Sequence, residues 1–261
     1  MRKYCLLVFT ALCLNLSAQD TARWSANIQL GADLMSRYIW RGINLGGNAP
    51  AVQPVMKLNV GNETHLFTLG AWGSYSFSNT SCEEMDLFAS YTFKNMFTVM
   101  VTDYFFPGAY ADKRDKYFYY RQDSTGHVFE GCLMFNGTKK VPVTFMACVN
   151  FYGNDARRMK QVNDSTFEVS GLQYSTYFEI GYKTNIKGID FNAFVGGTLT
   201  NPDTGRQETG YYMNTKAGFT NVGIKVAKGI PVSEKYSLPI QVSLIANPLL
   251  SKMYLVFGIS F

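Results

Sequence analysis

The sequence closes on Met253-Tyr254-Leu255-Val256-Phe257-Gly258-Ile259-Ser260-Phe261. Met253, Leu255, Phe257, Ile259 and Phe261 fall on one face of an extended chain, and Tyr254, Val256, Gly258 and Ser260 on the other. A period of two is the signature of a strand. Left as the free edge of a soluble sheet, so apolar a strand would invite aggregation. Two solutions remain: a last strand buried in a sandwich, or a barrel that closes its first strand on its last and so has no edge.

Working outward, the other terminus reads as a secretory signal. Arg2 and Lys3 precede the apolar run 6–16, and Ser17-Ala18 before Gln19 suits cleavage. The expected organisation is therefore a leader over residues 1–18 and one domain over residues 19–261. Cys13 follows Leu12, a poor context for lipid attachment, so ordinary cleavage near Ala18 is expected. The formal charge of +5 loses the two cations of the leader, which leaves too little basicity to imply a nucleic-acid partner. No later stretch has about 18 uninterrupted apolar residues, so no helical membrane span is expected. Aromatics at 15% beside only 16% charged residues suit a wall of strands with half of each facing lipid.

The alternation continues back through the chain and predicts about twelve strands. They cover 26–40, 51–60, 65–77, 84–93, 96–104, 129–135, 141–151, 172–182, 189–199, 215–226 and 236–244, and then the closing stretch. On the first, Ile28, Leu30, Ala32, Leu34, Tyr38 and Trp40 share the apolar face, against Asn27, Gln29, Asp33 and Arg37. Pro142 and Pro239 fall within predicted strands, where they suit only bulges or strand ends. Connections after even-numbered strands are short, such as Gly61-Asn62-Glu63-Thr64, Lys94-Asn95 and 136–140. Several after odd-numbered strands are long, around 105–126 and 152–171 and at Asn201-Pro202-Asp203-Thr204-Gly205. Sorting by parity is what an outer-membrane barrel with periplasmic termini requires, whereas a sandwich gives no reason for it. The fold expected is all-β: a transmembrane antiparallel up-and-down barrel. Its terminal Phe261 resembles the closing-strand signal of bacterial outer-membrane barrels, which implies recognition by the outer-membrane assembly machinery and contact with outer-membrane lipid.

The face opposite the lipid supplies the candidate lumen lining: Asp33, Arg37, Arg41, Lys57, Glu84, Asp86, Glu130, Glu179, Lys183 and Asp190, with Lys225 a further possibility. Signs nearly balance, which suits either a wet pore or a cross-linked polar plug, and about twelve strands lies between filled and open barrels. Arg41 has two readings, a basic contact at a constriction or a salt bridge to a lumen carboxylate that braces the wall. Gly42 permits the chain to leave its strand in a conformation closed to other residues, and Pro50 pre-sets its return.

Ser36-Arg37-Tyr38-Ile39-Trp40-Arg41-Gly42, followed by Asn48-Ala49-Pro50-Ala51-Val52-Gln53, resembles the aromatic-Arg-Gly and Pro-Ala-x-Gln signature that opens porins of the TorF family. Where that family has Gly after the Gln, this chain has Pro54. The resemblance implies a channel in the outer membrane of a Gram-negative bacterium and supplies no catalytic residue.

Other chemistries find little support. After cleavage the cysteines are Cys82, Cys132 and Cys148, an odd number. With the turn centred on 136–140, Cys132 and Cys148 miss each other, so no bridge is expected. No metal-ligand spacing, phosphate loop or nucleotide motif occurs, and no cofactor is expected. His127 after Ser124-Thr125-Gly126 offers a Ser–His pair on paper. A lone histidine at the rim is expected to be solvated, and no enzyme is expected. Tyr117-Phe118-Tyr119-Tyr120 beside Lys113-Arg114-Asp115-Lys116 suits an interfacial girdle or a partner-binding patch. The function expected is a narrow, weakly selective channel for small polar solutes, or else a plugged barrel that binds through its outer loops.

Overall fold

The computed structural model describes residues 23–78, 83–122, 124–164, 166–234 and 236–261; the expected leader and Cys82 lie outside them. Among the described residues sixteen strands form: β1 (Ser25–Met35), β2 (Ile39–Trp40), β3 (Ile43–Asn44), β4 (Ala51–Gly61), β5 (His65–Ser76), β6 (Glu84–Phe93), β7 (Phe97–Phe105), β8 (Val128–Phe135), β9 (Val143–Gly153), β10 (Arg157–Asn163), β11 (Thr166–Leu172), β12 (Thr176–Ile186), β13 (Ile189–Thr198), β14 (Gly218–Ser233), β15 (Tyr236–Asn247) and β16 (Lys252–Ser260). Twelve of them close an antiparallel barrel in the order β1-β16-β15-β14-β13-β12-β9-β8-β7-β6-β5-β4. The other four make two small hairpins, β2-β3 and β10-β11.

The closing stretch does what its alternation requires. β16 pairs with β15 from Asn247↔Lys252 to Ile240↔Ile259, and its far edge meets β1 at Asp33↔Ser260, Leu34↔Ile259 and Met35↔Gly258. Phe261 carries the seam one step further, donating from its N–H to Ala32 O at 2.9 Å and accepting from Ala32 N–H at 3.3 Å.

The wall is apolar outside and polar inside, the reverse of a soluble core. Ile28, Leu30, Leu69, Phe97, Leu133, Ile180 and Leu255 stand exposed on the outer face. Gln53, Thr68, Asp86, Thr98, Glu130, Asn221 and Ser243 are buried on the inner face. The connections that follow β4, β6, β8, β12 and β14 lie at one end, and the long loops lie at the other, together with the short turn 248–251 between β15 and β16.

Several sequence expectations need correction. The first strand stops at Met35 instead of running to Trp40. Tyr38 and Trp40 therefore leave the outward parity, and Tyr38 is buried, donating to Glu84 Oε2 at 2.8 Å. Within the expected loop 152–171 the chain builds the β10-β11 hairpin, and β12 begins at Thr176 after Tyr174 adopts a left-handed φ of 52°. β14 runs Gly218–Ser233, longer and later than 215–226. Pro142 lies just before β9, while Pro239 stands inside β15 opposite Gly229.

Cys132 and Cys148 are joined in a disulfide, contrary to expectation. The connection after β8 extends through Pro142, so the mirror point of the hairpin shifts. Phe135 then pairs with Phe145 and Cys132 stands directly opposite Cys148, with their Cα atoms 4.1 Å apart.

Candidate functional site: a hairpin across the lumen

The β2-β3 hairpin folds into the barrel from the long-loop end. Trp40 pairs with Ile43, which leaves Arg41 and Gly42 as a two-residue turn with φ of 48° and 81°. Positive φ at both central positions is the requirement of a type I′ hairpin turn. Glycine adopts it freely; arginine does so at a cost of about 1 kcal/mol or more. Gly42 is also fixed by space, since a Cβ there would overlap Thr220 O on β14.

Arg41 is held where it is by its side chain. Nη1 donates to Glu130 Oε1 at 2.5 Å and Nη2 to Oε2 at 2.8 Å, a two-pronged ion pair in which the side chains are 10% and 1% exposed. Nη1 also donates to Tyr212 Oη at 2.8 Å, and Tyr104 Oη donates to Glu130 Oε2 at 3.1 Å. The guanidinium lies 4.1 Å from the Tyr177 ring centre and 4.7 Å from that of Trp40. Trp40 stacks on Tyr212 and meets Tyr104 and Tyr211 edge-on. Such pairing and stacking is what a buried guanidinium needs, because an unpaired charge there would be expensive.

These contacts carry the hairpin from wall to wall. Tyr38 reaches Glu84 on β6, Trp40 meets Tyr104 on β7, and Arg41 grips Glu130 on β8. Arg41 also packs on Tyr177 of β12, and Asn247 on β15 donates from Nδ2 to Gly42 O at 3.1 Å. Tyr211 and Tyr212 come from a second connection, 199–217, that also folds inward. Glu208 ties that connection to the β10-β11 hairpin, accepting from Arg158 Nη1 and from the N–H groups of Met159 and Asp203. Burial raises the Glu208 carboxyl, but these donors outweigh it and hold it below the usual carboxylate range.

Of the candidate lumen residues, the structure brings Arg41 to Glu130, and Glu84 beside Asp86. Asp33 and Lys57 line the same cavity as Asp86, and Glu179 accepts from Tyr177 Oη and Asn221 Nδ2. Arg37 sits apart, its guanidinium over Tyr254. Lys183 and Asp190 lie near the short-turn end, where Asp190 accepts from Asn185. Sequence reasoning missed Trp40, Tyr104, Tyr177, Tyr211 and Tyr212. The even-numbered parity of β7 pointed Tyr104 inward, but nothing in periodicity marks a loop tyrosine as a lumen residue.

Glu130, Cys132 and Cys148 cluster closely enough to suggest a metal centre. Both sulfurs are committed to the disulfide and both Glu130 oxygens to Arg41, so this donor set is spent.

His127 corrects a further expectation. It is fully buried at the rim, stacked between Phe105 and Tyr120, rather than solvated. Nδ1 meets Asp103 Oδ1 at 2.7 Å and Nε2 meets Tyr117 O at 2.6 Å. Asp103 belongs to the outward parity of β7, so this pair fastens the loop 106–127 against the outside of the barrel. Burial pushes the Tyr117 phenol up to about 12, with its hydrogen bond to Tyr120 adding to the effect.

No curated protein matches the chain. The family comparison does find a match, and it spans both inward-folding connections and most of the wall. By the model that matches residues 17–241, the chain belongs to Gcw_chp, a family described as bacterial protein of unknown function.

Proposed function

We propose that this protein is an integral barrel of the bacterial outer membrane, whose lumen is a narrow pathway for small polar solutes closed at its outward end by the Arg41 hairpin. The single observation that carries the closure is the two-pronged Arg41–Glu130 pair at 2.5 and 2.8 Å, which bolts the hairpin across the lumen. The outer face supports the membrane. Exposed apolar residues follow every barrel strand, and the strands run from 8 to 16 residues where about 9–11 cross a bilayer core. The TorF-like residues 36–53 include the hairpin itself, so the resemblance and the plug coincide.

The test is conductance of the refolded barrel in a planar bilayer. The expected result is little or no current from the wild type and discrete steps once residues 38–46 are replaced by a short Gly-Ser linker. A linker variant that folds, shifts on heating in gel electrophoresis and still passes no more current than wild type overturns the gate. That outcome favours the other reading, a permanently plugged barrel that acts through its outer loops.

A further inference from the structure

Beneath the hairpin lies a cavity of about 420 Å³ whose walls do not resemble those of a simple water-filled pore. Trp40 and Tyr38 of the inward-folded connection form one side of it. Trp72, Phe88 and Tyr104 from β5, β6 and β7 form another, with Asp33, Gln53, Lys57, Asp86 and Thr102 as the polar groups. The register puts much of this at one height on the wall: Asp33 opposite Gln53, Trp72 opposite Asp86, and Asp86 opposite Tyr104. The volume falls within the range of small-molecule sites, roughly 300–1,000 Å³.

Asp86 in this wall and its neighbour Glu84 each keep one unpartnered oxygen. Asp86 is 5% exposed and Glu84, two residues along on the same face of β6, is 1% exposed. Tyr38 supplies one donor to Glu84, yet Glu84 Oε1 and Asp86 Oδ1 are buried without a hydrogen-bond partner. Among the described residues neither acid forms a salt bridge, although Arg41 and Glu130 nearby are fully paired. Buried carboxyl oxygens are normally satisfied, so Asp86 Oδ1, on the acid of the two that lines the cavity, has room for a donor or a positive charge from an occupant. Aromatic faces around a carboxylate form the environment that favours an organic ammonium, which gains from the ring quadrupoles and from the acid together. Lys57 stands further along β4, about two residues from the level of Val55 and Trp72. It disfavours a second positive charge on the occupant.

We infer that this cavity is a binding site for a small organic monocation, an ammonium head on Asp86 with an apolar body against Trp40, Trp72 and Tyr104. The inference names a solute class for the pathway proposed above and rests on that reading only to this extent; binding is measured without reference to current, so the two can fail separately.

Phenethylammonium is the probe, titrated into the full refolded barrel in detergent. Trp24 is replaced by Phe, so that the remaining tryptophans, Trp40 and Trp72, both report from the cavity. The expected result is a saturable fluorescence change, with the neutral isostere 2-phenylethanol binding about tenfold more weakly or worse. The Asp86→Asn variant is expected to lose that discrimination. Equal binding of cation and neutral isostere to the wild type overturns the inference and needs no variant to fold. Complete displacement by millimolar potassium or magnesium also overturns it, in favour of an inorganic cation. If the hairpin-deleted barrel fails to conduct while phenethylammonium still binds the intact one, the gate is lost and the site stands.

Discussion

The connections 36–50 and 106–127 leave the same rim and go opposite ways. The first turns inward and crosses the lumen; the second folds back over the outer face. The first carries two aromatic residues, Tyr38 and Trp40, and the second carries six, so aromatic content is not what draws a loop inward. Each is fastened by one basic group: Arg41 to Glu130 inside, and His127 to Asp103 outside. The two acids lie on adjacent strands one register step apart, since Thr102 pairs with Glu130 and Asp103 with Phe129. Thr102 and Glu130 point inward and Asp103 outward, because successive residues of a strand face opposite sides. Each loop lies on the side of the wall to which its acid points.

The sharpest way to break this contrast is Arg41→Ala. It leaves Glu130 charged, buried and unpaired, and losing one partner of a buried pair costs about 3–5 kcal/mol. The expected outcome is a large fall in urea midpoint together with channel activity in bilayers. Replacing both members, as Arg41→Leu with Glu130→Leu, is expected to recover most of the stability and still leave the hairpin unbolted, because no charge is then stranded. If the double variant stays as closed as wild type, the aromatic packing of Trp40 and Tyr212 holds the plug and the ion pair does not.

Gly42→Ala tests the turn rather than the bolt. The left-handed φ of 81° disfavours any Cβ by about 1–2 kcal/mol, and this one would collide with the Thr220 carbonyl. Partial opening is expected, read as brief current steps with the Arg41–Glu130 pair still present.

On the outer loop, His127 is held at one ring nitrogen by the Asp103 carboxyl and at the other by the Tyr117 carbonyl. His127→Phe keeps the stacking and removes both bonds, at a cost of about 1–3 kcal/mol for the groups left unpaired. Trypsin cleavage at Lys113, Arg114 or Lys116 is expected to accelerate while conductance stays at the wild-type level. A change in current from this variant would mean that the two loops are coupled, and the contrast between them would fail.

The wall was legible in the sequence because alternation is a local property with one physical cause, the solvent on each side. The closing strand, the strand number and the sorting of turns by parity all followed from it. Parity stopped being informative where strands stop. Tyr38 and Trp40 continue the outward count of β1 on paper, but the chain kinks after Met35 and turns them into the lumen. The Arg41–Glu130 contact joins residues 89 apart, and no spacing rule connects them. Of the contacts expected for Arg41, the salt bridge to a lumen carboxylate is present, to Glu130. The Cys132–Cys148 bridge was missed by a shift of two residues in a turn, an error that register magnifies because each step moves both strands.

The smallest effect belongs to the inward tyrosines, and it sharpens the contrast by asking whether the lid over Arg41 is itself clamped. Glu208 holds the connection bearing Tyr211 and Tyr212 to the β10-β11 hairpin, and its folded carboxyl titrates below its unfolded value. A depressed carboxylate contributes its full stabilisation above the unfolded value, about 4.3, and loses it as pH falls through the lower folded value. Acid should therefore loosen this clamp while leaving the barrel closed. The measure is amide exchange at Met159 and Asp203, whose N–H groups donate to Glu208. Exchange at these two sites, corrected for its intrinsic pH dependence, is expected to rise in acid, and Glu208→Gln is expected to reproduce the loosening at neutral pH. Arg158 is more than a third exposed, so its share of the clamp is weak and salt-screened. If salt alone frees both amides at neutral pH, the ion pair carries the clamp and the two backbone donors do not.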